Sequence, residues 1–363
     1  MSLFAKTRNL YGRFERPISS LSLLSGFVFD ALTLKRLDTL WENLWIIGHL
    51  LIVGVFIVLI HLKERGEGDE HNPNKAHFWF VNILQFVFGG TLSTFLVFYF
   101  RSTDIWITWP FLLILAIAFL ANESLKKHYV RLSFQISLFF LSIYSFAIFA
   151  LPVLLHKIDK EVFIFSGLAS LFFIAIFIKI LFYFLKDRFK GSKKLVILLV
   201  LGIFIIVNFL YFTNLIPPIP LSLKDGDVYH SIIKNKSGDY DVTYEDYGWK
   251  GYFKLYPDFH KTESAPVYAF SAIFSPRDLD LGIIHEWQYR DTVKNKWITQ
   301  SKIPLQIIGG RDSGFRTYSM RSNLEQGKWR VNIKTTEGQT IGSIRMNIIN
   351  TDIEPELTDD VQE

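Results

Sequence analysis

The chain is 363 residues long, half of them hydrophobic, with 35 Phe, 9 Trp, 12 Pro and no Cys. The absence of cysteine excludes disulfide staples, thiolate nucleophiles and thiolate metal ligands. Residues 1–222 carry 21 Lys/Arg against 13 Asp/Glu (+8) and residues 223–363 carry 18 against 21 (−3), so the basic half is also the apolar half. Its cations read as a membrane-topology signal and give no support for a nucleic-acid partner.

Residues 1–17 hold Lys6, Arg8, Arg13 and Arg16, and an apolar run from Ile18 to Leu34 follows. No small-x-small cleavage site precedes Lys35 and a second apolar run begins close behind it, which argues against a cleaved signal peptide. The first run is short for a span and contains Asp30, so an interfacial helix competes with a spanning one. Six further runs, 44–62, 78–100, 105–121, 132–155, 162–185 and 195–215, are long enough to cross a hydrocarbon core of roughly 30 Å. The last is uncharged, follows Lys186, Arg188, Lys190, Lys193 and Lys194, and exits into Pro217, Pro218 and Pro220, which cannot continue a helix.

Seven spans with a cytoplasmic N-terminus leave 15 basic residues on the cytoplasmic side and 5 outside, whereas six spans give at best 11 against 9. The positive-inside rule favours seven, with the C-terminal part outside the cytoplasm. Trp41, Trp45, Trp106 and Trp109 then fall near the outer interface, where indole rings prefer to sit. Polar residues within the spans are costly and therefore candidates for function: Asp30, His49 and Lys179, with Asn82 and Gln85. Lys179 lies near the cytoplasmic end and can act as a snorkelling anchor. Asp30 must be protonated, paired or near water, with His49 or Lys179 as partners if packing brings them together. Gly89, Gly90 and Ser93 mark close helix packing.

Beyond the proline exit the hydrophobic period changes to two. Short runs such as YDVTYE, PVYAFSAIF, GIIHEWQYR, KWITQSK, FRTYSMR, KWRVNIKTT and IGSIRMNII are rich in β-branched and aromatic residues and separated by Gly, Asp, Asn and Pro. In KWRVNIKTT, Trp329, Val331 and Ile333 share a face predicted to be buried, and Arg330, Asn332 and Lys334 share one predicted to be exposed. The fold class expected is an α-helical membrane domain of about seven transmembrane helices over 1–220, then an all-β sandwich over 221–350. The acidic tail 351–363 is expected to be disordered.

Three segments, HEWQYRD (285–291), GGRDSGFRTYSMR (309–321) and QGKWRVNIKTTEGQTIG (326–342), resemble the C-terminal module of a bacterial family called domain of unknown function 2914, with Tyr318 at a position associated with Trp. SGFVFDALTL and the apolar runs look like the membrane half that accompanies this module in some members. The resemblance implies an envelope protein with an Ig-like or carbohydrate-module-like β domain, and it implies no activity.

No G-x-S-x-G, H-E-x-x-H or P-loop occurs, and His230, His260 and His285 lack metal-ligand spacing. Asp225-Gly226-Asp227 and Asp278-Leu279-Asp280 read as turns rather than calcium loops, and Asn235-Lys236-Ser237 matches a glycosylation sequon. No catalytic residue, cofactor or metal is expected. Two constellations remain. His285, Trp287 and Tyr289 share a strand face, with Trp249, Tyr252, Trp297 and Trp329 close in sequence, as core aromatics or as a sugar-stacking platform. Arg311, Arg316, Arg321 and Arg330 cluster. Arg316 shares a face with Tyr318, so it is either paired, with Glu286 or Asp291, or lines an anion site.

The ligand-binding candidates are therefore Arg316, Tyr318, Arg330, Trp287 and His285. The function expected is that of a bacterial inner-membrane protein holding a non-catalytic β module outside the cytoplasm for an envelope glycan, anionic lipid headgroup or protein. The alternative is a membrane transferase or transporter built on Asp30, His49 and Lys179.

Overall fold

The computed structural model describes residues 27–28, 30–32, 40–66, 75–101, 105–124, 132–216, 221–236, 238–246, 248, 254–275, 281–307, 315–353 and 355–362. Two compact units are formed: Met1–Arg101 with Thr108–Ile216, and Pro217–Glu363 with Ser102–Ile107.

The first unit is helical: α1 (Leu40–Gly66), α2 (Lys75–Arg101), α3 (Ile105–Ser124), α4 (Leu132–Leu155) and α5 (Lys160–Phe212). Among the described residues five segments are long and apolar enough to cross a membrane, Leu40–Lys63, Ile83–Phe100, Leu132–Leu155, Lys160–Leu185 and Gly191–Phe212, and Trp109–Leu120 is a shorter apolar helix. Most of the predicted first span lies outside the described residues, as do Pro217, Pro218 and Pro220.

The 53 residues of α5 are two helical limbs joined at Leu185, whose backbone angles are non-helical (φ −121°, ψ 18°) and where the chain doubles back. The limbs face each other: Phe163 stacks on Tyr211 with ring centroids 3.5 Å apart. A Cβ at Gly167 would lie 2.9 Å from the Phe204 ring. Tyr144 of α4 stacks on Phe204 and accepts a 3.1 Å hydrogen bond from Asn208 Nδ2. Asp159 caps the first limb, its carboxylate accepting from the Val162 amide at 2.8 Å. Sequence reading places two spans here, and the hairpin supplies them. Buried Ser and Thr hydroxyls return their hydrogen bonds to the carbonyl four residues earlier, as in Thr91, Ser137, Ser142, Ser166 and Ser170. That leaves no donor facing hydrocarbon at these positions.

Among the described residues the second unit has eleven strands in three sheets. The middle sheet has the order β1 (Ser222–Tyr229), β5 (Val267–Phe274), β8 (Phe315–Arg321). The five-stranded sheet runs β4 (Asp258–Lys261), β10 (Thr340–Asn350), β9 (Gly327–Thr335), β6 (Leu281–Asp291), β7 (Lys296–Ile307). The small sheet runs β11 (Thr358–Gln362), β3 (Tyr240–Tyr244), β2 (Ser231–Lys234). All pairings are antiparallel except β4 with β10.

A sandwich implies two layers, whereas this unit has three. The reason is legible in β5, whose residues are nearly all buried and which therefore has no solvent face. Its Ser271 points to His285 of the five-stranded sheet, and its Phe270 and Ala272 pack with Ile232, Tyr240 and Val242 of the small sheet. The middle and five-stranded sheets approach closely at glycines. A Cβ at Gly226 would meet Ile344 at 3.2 Å, and one at Gly342 would meet Leu223 at 2.5 Å.

Two expectations need correction. Trp329, Val331 and Ile333 are buried as the alternation predicts, but Asn332 is buried too, at 6% exposure. It lies on a central strand between two neighbours, donating to Gln288 Oε1 (3.1 Å) and accepting from Ser343 Oγ (2.9 Å). The acidic tail is ordered at Thr358–Gln362, where β11 pairs with β3 and closes the small sheet. Backbone pairing holds it, since its side chains are mostly exposed.

Candidate functional site

The motif HEWQYRD forms the C-terminal seven of the 11 residues of β6, and strand alternation sorts it into two faces. His285 and Trp287 point inward and are fully buried. His285 Nε2 lies 2.9 Å from Ser271 Oγ and its Nδ1 2.9 Å from Ser319 Oγ, and Trp287 Nε1 donates to the same Ser319 oxygen at 3.0 Å. Burial pushes the imidazole pKa down to about 4, so it is neutral at physiological pH. The serine and histidine resemble a hydrolytic pair only in composition, because no substrate reaches a sealed core. Their role is to satisfy one another between two sheets.

Arg316 and Tyr318, on β8, turn to the other side of the middle sheet. The Arg316 guanidinium is nearly buried and donates to Asp239 Oδ1 at 3.2 Å and to the Gln362 carbonyl of β11 at 2.6 Å. Its partner is thus Asp239, and neither Glu286 nor Asp291 as expected from sequence. Tyr318 packs edge-to-face against Tyr240, 5.9 Å between centroids, beside Tyr268. These four candidates are therefore engaged inside the unit. Arg311, Trp249 and Tyr252 lie outside the described residues.

Arg330 alone of the five lies on the other side of the five-stranded sheet, where it is half-buried beside the buried side chains of Glu286, Gln288 and Asn332. There Glu286, Gln288 and Arg290 of β6 lie beside Arg330, Asn332 and Lys334 of β9, with Gln288, Arg330 and Arg345 in one register row across three strands. Arg330 Nε donates to Gln288 Oε1 at 2.7 Å, and its guanidinium lies 4.3 Å over the Trp297 ring. Arg290 sits 5.4 Å over the same indole and bonds Asn295. Tyr256 stacks at 6.3 Å on Trp297, and Lys328 lies 5.2 Å over Tyr256. Glu286 is compensated separately by Lys334 and by Lys302, the latter at 3.7 Å. Burial raises its pKa, but Lys334, with Asn332 and Thr299, outweighs that and holds it below the ordinary value.

Sequence reading looked for a platform in His285, Trp287 and Tyr289 and missed the complementary residues of the same strand. The usable signal was the alternation itself, since Glu286, Gln288 and Arg290 interleave with the aromatics and share parity with Arg330 across the ladder.

A second polar group joins three strands. Glu245 accepts from His230 Nε2 (3.0 Å), from His260 Nδ1 (2.7 Å) and from the His260 amide (2.7 Å). Burial raises its pKa, and these hydrogen bonds outweigh the burial and hold it below its ordinary value. Both imidazoles bind the carboxylate, and no group of three or more His, Asp or Glu among the described residues could hold a metal ion.

In the helical unit, the Asp30 carboxyl faces Ser93 and His49. His49 lies against Gly90, whose absent side chain leaves room for the ring, and its Nδ1 is 2.9 Å from the Trp45 carbonyl. Lys179 is exposed on the first limb of α5 and takes no part in this group. A buried pair that sequence reading did not single out, His61 with Gln135 at 3.0 Å, links α1 to α4.

Architecture thus defines a protein with a membrane-type helical unit and a separate strand-rich unit bearing the cationic and aromatic sheet face. Residues 281–348, which span β6 to β10, match the family model described as "Protein of unknown function (DUF2914)", so the module that the sequence motifs resemble is present in the C-terminal part of the chain. No curated protein matches the chain. Among solved structures, Pseudomonas fluorescens alkylpurine DNA glycosylase AlkC bound to DNA containing an abasic site analog aligns at 10% identity over 83% of this chain and 96% of that one. Its TM-score of 0.18 supports no likeness of fold.

Proposed function

We propose that this chain is an integral protein of the bacterial inner membrane that holds a non-catalytic, Ig-like β module on the extracytoplasmic side to bind an envelope glycan, lipid headgroup or protein. In this reading the five-stranded sheet packed on the middle sheet is the Ig-like sandwich. The observation that carries it is the division of labour on β6: the residues with catalytic character, His285 with Ser271 and Ser319, are sealed inside, while the outward face presents fixed guanidinium, amide and aromatic groups. Such groups recognise ligands without needing to transform them. The asymmetry of 15 to 5 basic residues supports the orientation.

Reporter fusions at Gly191 and Gly238 of the membrane-inserted chain test the placement. The expected result is a cytoplasmic signal at Gly191 and an extracytoplasmic one at Gly238, and a cytoplasmic signal at Gly238 rejects it. A second reading, a transferase or transporter with its site among the helices, draws on Asp30 facing His49 and Ser93 within apolar segments. Asp30→Asn abolishing an activity that Arg330→Gln leaves intact would favour that reading.

A further inference from the structure

Resting on the binding role above, we propose that the outward face of the five-stranded sheet is a site for a phosphoryl-bearing anion, centred on Arg330 and flanked by Arg290 and Lys328. Three observations converge. The first is uncompensated charge. On this side of the unit Glu286 is taken by Lys334 and Lys302, Asp258 by Lys254 and Asp291 by Lys294. Among the described residues no carboxylate lies within ion-pair distance of Arg290, Lys328 or Arg330; Glu286 acts on Arg330 as an opposite charge from beyond that distance, and Arg345 and Arg290 act on it as like charges. The half of the chain that carries them is net acidic, with 18 Lys/Arg against 21 Asp/Glu, so the patch is a local concentration rather than a general background.

The second is preorganisation. Arg330 is fixed by the bond from its Nε to Gln288 and by the Trp297 ring beneath it, which leaves the Nη fork for a ligand. Arg290 is fixed by Asn295 and the same ring, and Lys328 lies over Tyr256. Cations held by aromatic rings and neutral amides keep their charge available, whereas an ion pair would spend it. The third is grouping: the Arg330 fork, a second guanidinium over the same indole and the ammonium of Lys328 on the same strand as Arg330 suit an oxyanion with three or more acceptor oxygens better than a single carboxylate.

The test uses the full chain in nanodiscs of phosphatidylcholine alone. Probes are pyrophosphate, short-chain phosphatidylglycerol and, as a neutral control, a chitin-type oligosaccharide, each followed through indole fluorescence, to which Trp297 contributes. Saturable binding of either phosphoryl probe is expected, weakening with added salt. Arg330→Gln should weaken it about tenfold or more, and Arg330→Lys should restore part of that loss by returning charge without the fork. Preference for the lipid probe over pyrophosphate identifies a headgroup as the source, and the reverse identifies a soluble phosphate ester. Arg290→Gln serves as an independent variant should the Arg330 substitutions lower the melting temperature. Phosphoryl binding that neither Arg330→Gln nor Arg290→Gln alters overturns the site. Oligosaccharide binding with no phosphoryl binding overturns the inference and leaves the general binding role standing, and silence of all three probes counts against both.

Discussion

Arg316 on β8 and Asp239 at the entrance to β3 lie 3.2 Å apart, and the same guanidinium holds the Gln362 carbonyl of β11 at 2.6 Å. One side chain thereby joins the middle sheet to two adjacent strands of its neighbour, the central β3 and the edge strand β11. Arg316→Ala should leave Asp239 uncompensated and release β11, costing about 3 kcal/mol. Hydrogen exchange on the full chain checks this: amides of β11 and β3 should lose protection while those of β9 keep it. Both bonds leave from the one nitrogen Nη1, so Arg316→Lys, whose ammonium also carries several donors on one nitrogen, should retain more stability than Arg316→Ala.

Packing on β9 makes a graded prediction. Trp329, buried at 2% exposure, should cost about 3 to 5 kcal/mol on truncation to alanine. Lys328, exposed, should cost under about 0.5 kcal/mol. Lys334 falls between, at about 1 to 2 kcal/mol, since its removal takes the main counter-charge from the buried Glu286. Thermal unfolding of the three variants side by side is the measurement, and equal losses for Trp329→Ala and Lys328→Ala would reject the register.

Three groups give the β unit opposing pH dependences. Burial, aided by Asp225, raises Asp227 to about 6, so the folded state binds its proton more tightly than the unfolded chain. Stability from this group is complete at low pH and falls as pH rises toward 6, so Asp227→Asn should stabilise the unit at pH 7 by about 1 to 3 kcal/mol. His285, lowered to about 4, works the other way: stability is present above its ordinary value and is lost as pH falls from 6.5 through 4. Glu245, also lowered, contributes above its ordinary value of 4.5 and loses that contribution as pH falls below it. Unfolding midpoints from pH 3 to 8 should show the acid-side loss shrink in a Glu245→Gln variant.

Close approach of two sheets at Gly342 gives a steric prediction. A methyl group there would meet Leu223 Cδ2 at 2.5 Å, so Gly342→Ala should destabilise by about 1 to 3 kcal/mol. Leu223→Ala in the same chain should recover part of that loss, a non-additivity that a double-mutant cycle would measure.

Where hydrophobicity or period carries the information, the sequence was a good guide. Six of the seven predicted apolar runs lie on helices, five segments being long and apolar enough to span and the 105–121 run giving only the shorter Trp109–Leu120, while most of 18–34 lies outside the described residues. The pair 162–185 and 195–215 is separated by the reversal at Leu185, and the alternation of Trp329, Val331 and Ile333 held. What escaped it were features set by non-local pairing. In β5, PVYAFSAIF shows no outward polar parity, the mark of a strand covered on both sides, yet nothing local says what covers it. In β11, Thr358-Asp359-Asp360-Val361-Gln362 has one apolar residue, and its order comes from the β3 ladder and Arg316. The site candidates split for the same reason. Arg316 and Arg330 are near in sequence, but β8 and β9 belong to different sheets.

The pairing of β11 with β3 also constrains when the unit can mature. Tyr240–Tyr244 emerges from synthesis more than a hundred residues ahead of the strand that completes its sheet. Until Thr358–Gln362 has been made, β3 has one open edge, Arg316 lacks a carbonyl partner, and Tyr240 lies at an unfinished margin. During that interval the nascent domain would be open to proteases and to strand exchange with a neighbouring copy, so a chain cut short by a few residues is marked for removal by its own exposed edge.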